Sequence, residues 1–228
     1  MLKCHVDNQL WTMDGQVSFW GATIPTRMTV IRLTDGTLFI HSPVLLTIQL
    51  KDRLDVLGQV RYVVSPNKYH HYHMGEYAQA FKKVKMYASP GLREKRKDIL
   101  FQNVLKNSPE QEWREDIDQV LFMGSPAVQE AIFFHKPSRT LIVGDLCFNI
   151  DEHHPFLFKS LGKLLGLYKH LSAGPMIRYT VQDKNPAKLS MQKIMSWNFE
   201  RIILAHGDII ENNAKEVLKK AYTWLDEN

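Results

Sequence analysis

The sequence predicts a single α/β (α+β) domain covering residues 1–228. Three observations lead there. Short apolar, β-branched runs recur along the whole chain, each cut off by a Gly, Pro, Asn or Asp signal. Segments of helical spacing are interleaved with them rather than gathered in one block. No linker, internal repeat or low-complexity stretch divides the chain.

In chain order, residues 10–13 and 17–20 flank Asp14-Gly15 and read as a hairpin. Residues 28–33 and 37–41 flank Asp35-Gly36 and read as a stronger one. Residues 48–57 have helical spacing, with Thr47 as N-cap and Gly58 as the stop. The run 60–64 (VRYVV) is a buried strand ended by Ser65-Pro66-Asn67, because Pro cannot donate to a sheet ladder and Asn favours turns. A helix starts near Met74. Residues 84–88 read as a strand, 92–105 as a mainly helical connector, and 117–123 as a strand broken by Gly124-Ser125-Pro126. Residues 131–134 and 140–143 form a hairpin with a polar tip, followed by Gly144-Asp145. Helical pattern returns at 155–167, then at 186–197 with Asn185 as cap and Pro186 at the first position. Residues 202–205 are the last strand, ending in His206-Gly207-Asp208, and 211–225 read as a closing amphipathic helix.

Composition narrows the function classes. The hydrophobic share, 44%, is ordinary for a globular protein. The net charge of +5 includes one basic run, residues 93–97, which reads as a solvated helix face; a nucleic-acid footprint needs denser clustering. There is no signal peptide and no apolar run long enough to span a bilayer, and the two cysteines, Cys4 and Cys147, are far apart. The expectation is a cytoplasmic protein with reduced thiols, acting on a small molecule, with no membrane or nucleic-acid partner. Oligomeric state is left open.

Three strand ends carry side chains of metal-ligand type. Beyond the 60–64 strand come His70, His71 and His73; beyond 140–143 comes Asp145; beyond 202–205 comes His206. Imidazoles with a carboxylate suit zinc, iron or manganese. His41, also at a strand end, is a candidate for orienting one of these groups from behind. Cys147 reads as a buried thiol, and His153-His154 as surface.

In this order the Gly144-Asp145 pair, the His206-Gly207 pair and the His-rich turn resemble the metallo-β-lactamase superfamily. The resemblance implies a four-layer αββα sandwich and a metal-dependent hydrolase acting on an ester, thioester, lactone or phosphodiester. It also implies ligands from an HxHxDH turn, a later His, the Gly-Asp aspartate and the His-Gly histidine. Aligning the turn on Gly75 puts Lys68 in place of the first His and Tyr72 in place of the Asp, while His70 and His73 stay; no His occurs at 124–126. The chain therefore resembles a ligand-depleted branch. What survives is one divalent ion held by His70, His73, Asp145 and His206, with His71 as the alternative second imidazole, or no ion at all. Asp145, Lys68 and Tyr72 are then the catalytic candidates: Asp145 to orient water, Lys68 as a fixed positive charge opposite it, Tyr72 as proton donor or oxygen ligand. The alternative is a degenerate, non-catalytic member that binds a ligand or protein partner.

Overall fold

Strands that are apolar on both faces need cover on both. The chain supplies it with two sheets packed face to face and helices outside each. The computed structural model describes residues 1–19 and 22–227. The first sheet holds β1 (Lys3–Val6), β2 (Leu10–Phe19), β3 (Ala22–Arg32), β4 (Leu38–His41), β5 (Val60–Val64), β6 (Lys85–Ala88) and β7 (Phe101–Val104), side by side in chain order. β1 to β4 pair antiparallel. β4 to β7 pair parallel, because helices α1 (Ile48–Leu57), α2 (Met74–Ala80) and α3 (Leu92–Lys95) carry the crossovers. The second sheet consists of β8 (Ile117–Phe122), β9 (Glu130–His135), β10 (Thr140–Val143) and, after a ribbon of β11 (Cys147–Phe148) and β12 (Ser172–Ala173), β13 (Arg201–Leu204). Its spatial order is β13-β10-β9-β8. The remaining helices are α4 (Phe156–Leu164), α5 (Pro175–Thr180), α6 (Lys184–Ser196) and α7 (Ala214–Ala221), with a 3-10 turn at Thr223–Leu225.

Side-chain alternation sorts each strand between two cores. Val63 and Met86 join Leu50 and Leu54 of α1 and Tyr77 of α2 on the outer face of the first sheet. Their neighbours Tyr62, Val64 and Tyr87 turn inward to meet Ile117, Phe133, Ile142 and Ile203 of the second sheet. On the far side, Leu141, Val143, Ile202 and Leu204 pack on Met191 and Ile194 of α6 and Leu218 of α7. The result is the four-layer αββα sandwich.

Several elements depart from expectation for local physical reasons. Asp14-Gly15 is not a turn: β2 runs straight through it, Asp14 pairs with Arg27 across to β3 (2.7 Å), and a Cβ on Gly15 would sit 2.6 Å from Val44. Gly15 marks a close approach rather than a bend. Trp20, the end of that expected hairpin, lies outside the described residues. The expected helical connector at 92–105 stops at Lys95 and gives way to the edge strand β7, whose Phe101 is buried in the outer core. α6 is capped by Asp183, whose side chain accepts from the Asn185 N–H (2.9 Å), so Pro186 falls inside the first turn. α7 begins only at Ala214, because Asn213 is left-handed (φ 54°). The Asp35-Gly36 hairpin and the Thr47 and Gly58 caps of α1 form as the sequence predicts. Both cysteines are free thiols. Among the described residues, no helix is long and apolar enough to cross a membrane.

Two histidines are locked into this fold as neutral rings. Burial pushes His41 down to about 3 and His135 down to about 4. The unfolded chain takes up these protons near pH 6.5 and the folded chain does not, so stability is full above that pH and is lost as pH falls from about 6.5 toward 4. Each ring contributes a slope of up to about 1.4 kcal/mol per pH unit in that window. His71 is depressed in the same way and adds to this slope, while the buried Glu130 carboxyl, raised by burial, opposes it. With three such rings against one carboxyl, urea unfolding from pH 7 to pH 5 should show a falling midpoint, and a rising one would contradict the assignment.

Candidate metal centre

The pairing of β10 with β13 creates the centre. These strands run parallel with Val143 opposite Leu204, and the ladder extends one residue further through the Ala205 N–H to Val143 O bond (3.1 Å). Asp145 and His206, each two residues beyond a matched pair, therefore leave the sheet together. His206 Nε2 lies 3.2 Å from Asp145 Oδ1. From the first sheet, the turn after β5 brings His70 Nε2 to 3.4 Å from Asp145 Oδ2. All three groups are buried, and one ligand atom from each fits within 4.8 Å of the others.

The glycines beside these ligands are dictated by packing. A Cβ on Gly144 would press on the Glu130 carboxylate at 3.1 Å and the Asn67 amide at 3.3 Å. Gly207 has φ +109°, and a Cβ there would lie 2.0 Å from the Asn149 carbonyl oxygen. The loop is held further by Arg27, whose Nη1 donates to the carbonyls of Leu204 (3.0 Å) and Gly207 (2.6 Å).

Each imidazole is gripped from behind through Nδ1. His206 Nδ1 faces the Pro25 carbonyl at 2.7 Å, and His70 Nδ1 faces Ser42 Oγ at 2.6 Å. A carbonyl can only accept, so His206 carries its proton on Nδ1. In the neutral ring Nε2 then turns a lone pair toward the Asp145 carboxylate, which is also electron-rich. A cation between or on these atoms, a metal ion or a second proton, resolves that conflict. The donor set thus fits a divalent metal of the imidazole–carboxylate type.

Behind Asp145 is a second carboxylate. Glu130, at the start of β9 and wholly buried, accepts from three consecutive backbone N–H groups: Gly144 (2.8 Å), Asp145 (2.6 Å) and Leu146 (3.2 Å). The Asn67 amide donates 2.8 Å bonds to both Glu130 and Asp145. Burial, and then the Asp145 charge, push Glu130 above the usual carboxylate range. Burial alone would raise Asp145 too, but His70 and His206 outweigh it and hold Asp145 well below that range.

The remaining candidates are placed elsewhere. His73 stands at the N-cap of α2 with Nδ1 bound to Glu76 of the first turn (2.9 Å), and so does not join the cluster; His70, three residues earlier, does. His71 is turned to Arg96, whose Nη1 reaches its ring Nδ1 at 3.1 Å and its carbonyl at 2.7 Å; burial, then Lys95 and Arg96, push it down to about 4. Lys68 does not bridge to Asp145: its side chain runs along Gly91, and its carbonyl accepts from Lys95. Tyr72 reaches the rim of the adjoining cavity, its ring stacked on His71 at 4.9 Å. His41 lies opposite Val64 at the expected edge, but its ring nitrogens have no hydrogen-bond partner among the described residues and its ring packs on Phe133. The orienting group is its neighbour Ser42. In place of a histidine at 124–126, Ser125 ties its own loop to Thr180. Sequence reasoning missed Pro25, Ser42, Asn67 and Glu130 as parts of the centre. Asn67 and Ser42 carried a signal only as members of the stops that end β5 and β4.

The fold that positions this cluster has counterparts among solved structures. The family described as a domain of unknown function, DUF4336, matches residues 7–167, well over half of the chain. The chain belongs to the DUF4336 family. No curated protein matches it. Solved structures share the metallo-β-lactamase fold. DIM-1 metallo-β-lactamase exposed to ceftazidime has a TM-score of 0.68 at 15% identity, over 99% of this chain and 96% of that one. The metallo-β-lactamase FIM-1 from Pseudomonas aeruginosa in its mono-zinc form gives 0.65 at 8% identity, over 100% and 96%. The Flv1 flavodiiron core from Synechocystis sp. PCC6803 gives 0.68 at 9% identity; it is matched over 99% of this chain but only 61% of its own. This DUF4336 chain therefore has the metallo-β-lactamase fold.

Glu130 offers a direct check on the wiring. Glu130→Ala leaves three backbone donors and one of the two Asn67 amide N–H groups unpaired in the interior, each costing about 1–3 kcal/mol. Relaxation and water entry will recover part of this, so a net loss of about 3–5 kcal/mol is expected by urea unfolding. A loss under about 1 kcal/mol would show that the network is not what secures the Gly144–Leu146 segment.

Proposed function

We propose that this chain is a mononuclear metal-dependent hydrolase, with His70, Asp145 and His206 as the protein ligands of one divalent ion. The observation that carries the reading is the convergence of two Nε2 atoms and one carboxylate at the wall of a cavity, with both Nδ1 atoms secured behind them. Three protein donors leave a coordination position open, the arrangement of catalytic rather than structural sites. A divalent ion in this set supplies a Lewis acid that makes water nucleophilic near neutral pH and polarises a carbonyl or phosphoryl oxygen.

The residues of the chain do the rest. Asn67 fixes one side of Asp145, so its carboxylate faces the cavity in one orientation, accepts a hydrogen bond from the attacking water and holds that proton close to the leaving group. Ser42 and Pro25 set the direction of the two imidazoles. Phe148, stacked on His206 at 4.8 Å, shields that ring from bulk water. The reaction class is hydrolysis of an ester, thioester, lactone or phosphodiester; zinc, iron and manganese all suit the donors.

The test is metal content and activity together. Protein purified without a His tag and then loaded should hold one ion per chain by elemental analysis. Asp145→Ala and His206→Ala should each lose most of it and lower hydrolysis at least about 100-fold, the scale of removing a first ligand or positioned base. His73→Ala should retain the ion. Two ions per chain would restore a binuclear centre, and none under any loading condition would favour the degenerate, ligand-binding alternative.

A further inference from the structure

A cavity of about 350 Å³ opens from the His70–Asp145–His206 cluster, and its walls change character along its length. The end at the cluster is polar, built from Ser42, His70, Asp145 and His206. From Phe148, stacked on His206, the wall continues through Ile24, Ile150, Phe158, Leu165 and Leu167, which form one packed apolar group. α4 completes that side, lying so close that a Cβ on Gly162 would sit 2.8 Å from Ile150. Asp145 is the only acid lining the cavity, and no Lys or Arg lines it among the described residues. A second charged group on a substrate, such as a phosphate or a carboxylate, would find no counter-charge inside. The volume is in the range of pockets that bury a whole small ligand, far more than the reacting group needs.

We infer that the substrate carries an unbranched aliphatic chain, which lies along this apolar wall with its reacting group at Asp145. The inference deepens the hydrolase reading and rests on it for which end reacts. The wall itself is present whatever the cluster does. Burial of each methylene is worth about a fourfold gain in affinity, so chain length is the variable that such a wall reads.

The experiment uses neutral probes, because a carboxylate would be repelled by Asp145. Binding of straight-chain primary alcohols from butanol to decanol to the full chain is measured by titration calorimetry. Affinity should rise about fourfold per methylene until the cavity is filled. Leu161 lines the cavity and is 44% exposed, so it can be changed without emptying the core. Leu161→Asp should weaken decanol at least tenfold and flatten the series, while Leu161→Met should keep it. A flat series in the unmodified chain, benzyl alcohol binding as tightly as octanol, or an unaffected Leu161→Asp would each overturn the inference. The two readings fail separately. Hydrolysis of a short acetyl ester with a flat alcohol series would leave the hydrolase and remove the chain site. A steep series without any hydrolysis would support the chain site and remove the hydrolase.

Discussion

The centre depends on one buried carboxylate that faces no ligand. Glu130 gathers the N–H groups of Gly144, Asp145 and Leu146 onto its two oxygens, and these are the residues that must leave β10 at a fixed angle if Asp145 is to meet His206. A segment carrying three adjacent unpaired donors into the interior would not be stable by itself. With Glu130 beneath it, the turn becomes an anion-binding nest whose anion belongs to the neighbouring strand. Gly144 fits the same contact, since a side chain there would press tightly on Glu130 and Asn67.

Asn67 extends that logic to the other sheet. Its amide joins Glu130 to Asp145, its own Oδ1 accepts from the Tyr69 N–H, and the preceding Pro66 carbonyl accepts from Ala131 on β9. The Pro66-Asn67 turn thus staples the end of β5 to the second sheet and delivers His70 to the far side of Asp145. Ser42, at the end of the neighbouring β4, and Pro25, on β3, then lock the two rings. The three clustered side chains and the Ser42, Asn67 and Glu130 groups that hold them all come from a strand end or a turn just beyond one; only Pro25 offers its carbonyl from within a strand. This concentrates chemistry at an edge where backbone pairing has stopped and side chains can converge.

This explains why the fold and the outline of the centre were legible in the sequence and its interior was not. Runs such as VRYVV and TLIV announce strands buried on both faces, and the residue types just past them announce Asp145 and His206. The choice among His70, His71 and His73 depends on the twist of a turn that has no periodicity. It was settled by Glu76, which holds His73, and Arg96, which holds His71. Glu130 was invisible because an acid at the start of an apolar run looks like a solvated strand end; its role depends on backbone donors from another strand. Asp14-Gly15 misled for a related reason. The dipeptide has turn chemistry, but a long-range ion pair with Arg27 and a close approach by Val44 gave it a use inside a strand.

The two carboxylates also account for the number of positive charges the centre invites. Both are buried, they share one amide, and they differ in what else surrounds them. Glu130 is satisfied by backbone dipoles, which hold it without calling for a counter-ion. Asp145 has only one of its oxygens bound to Asn67, and its remaining partners are imidazole nitrogens, one of which presents a lone pair when its ring is neutral. The uncompensated negative charge is therefore that of a single carboxylate, directed toward the cavity. The one divalent ion proposed above would meet it. A second ion would find no further imidazole in the cluster, because His71 and His73 are committed to Arg96 and Glu76. Under the proposed reading the polar interior has room for one cation, and the apolar wall beside it would keep that charge in a poorly solvated setting, where electrostatic effects are strongest.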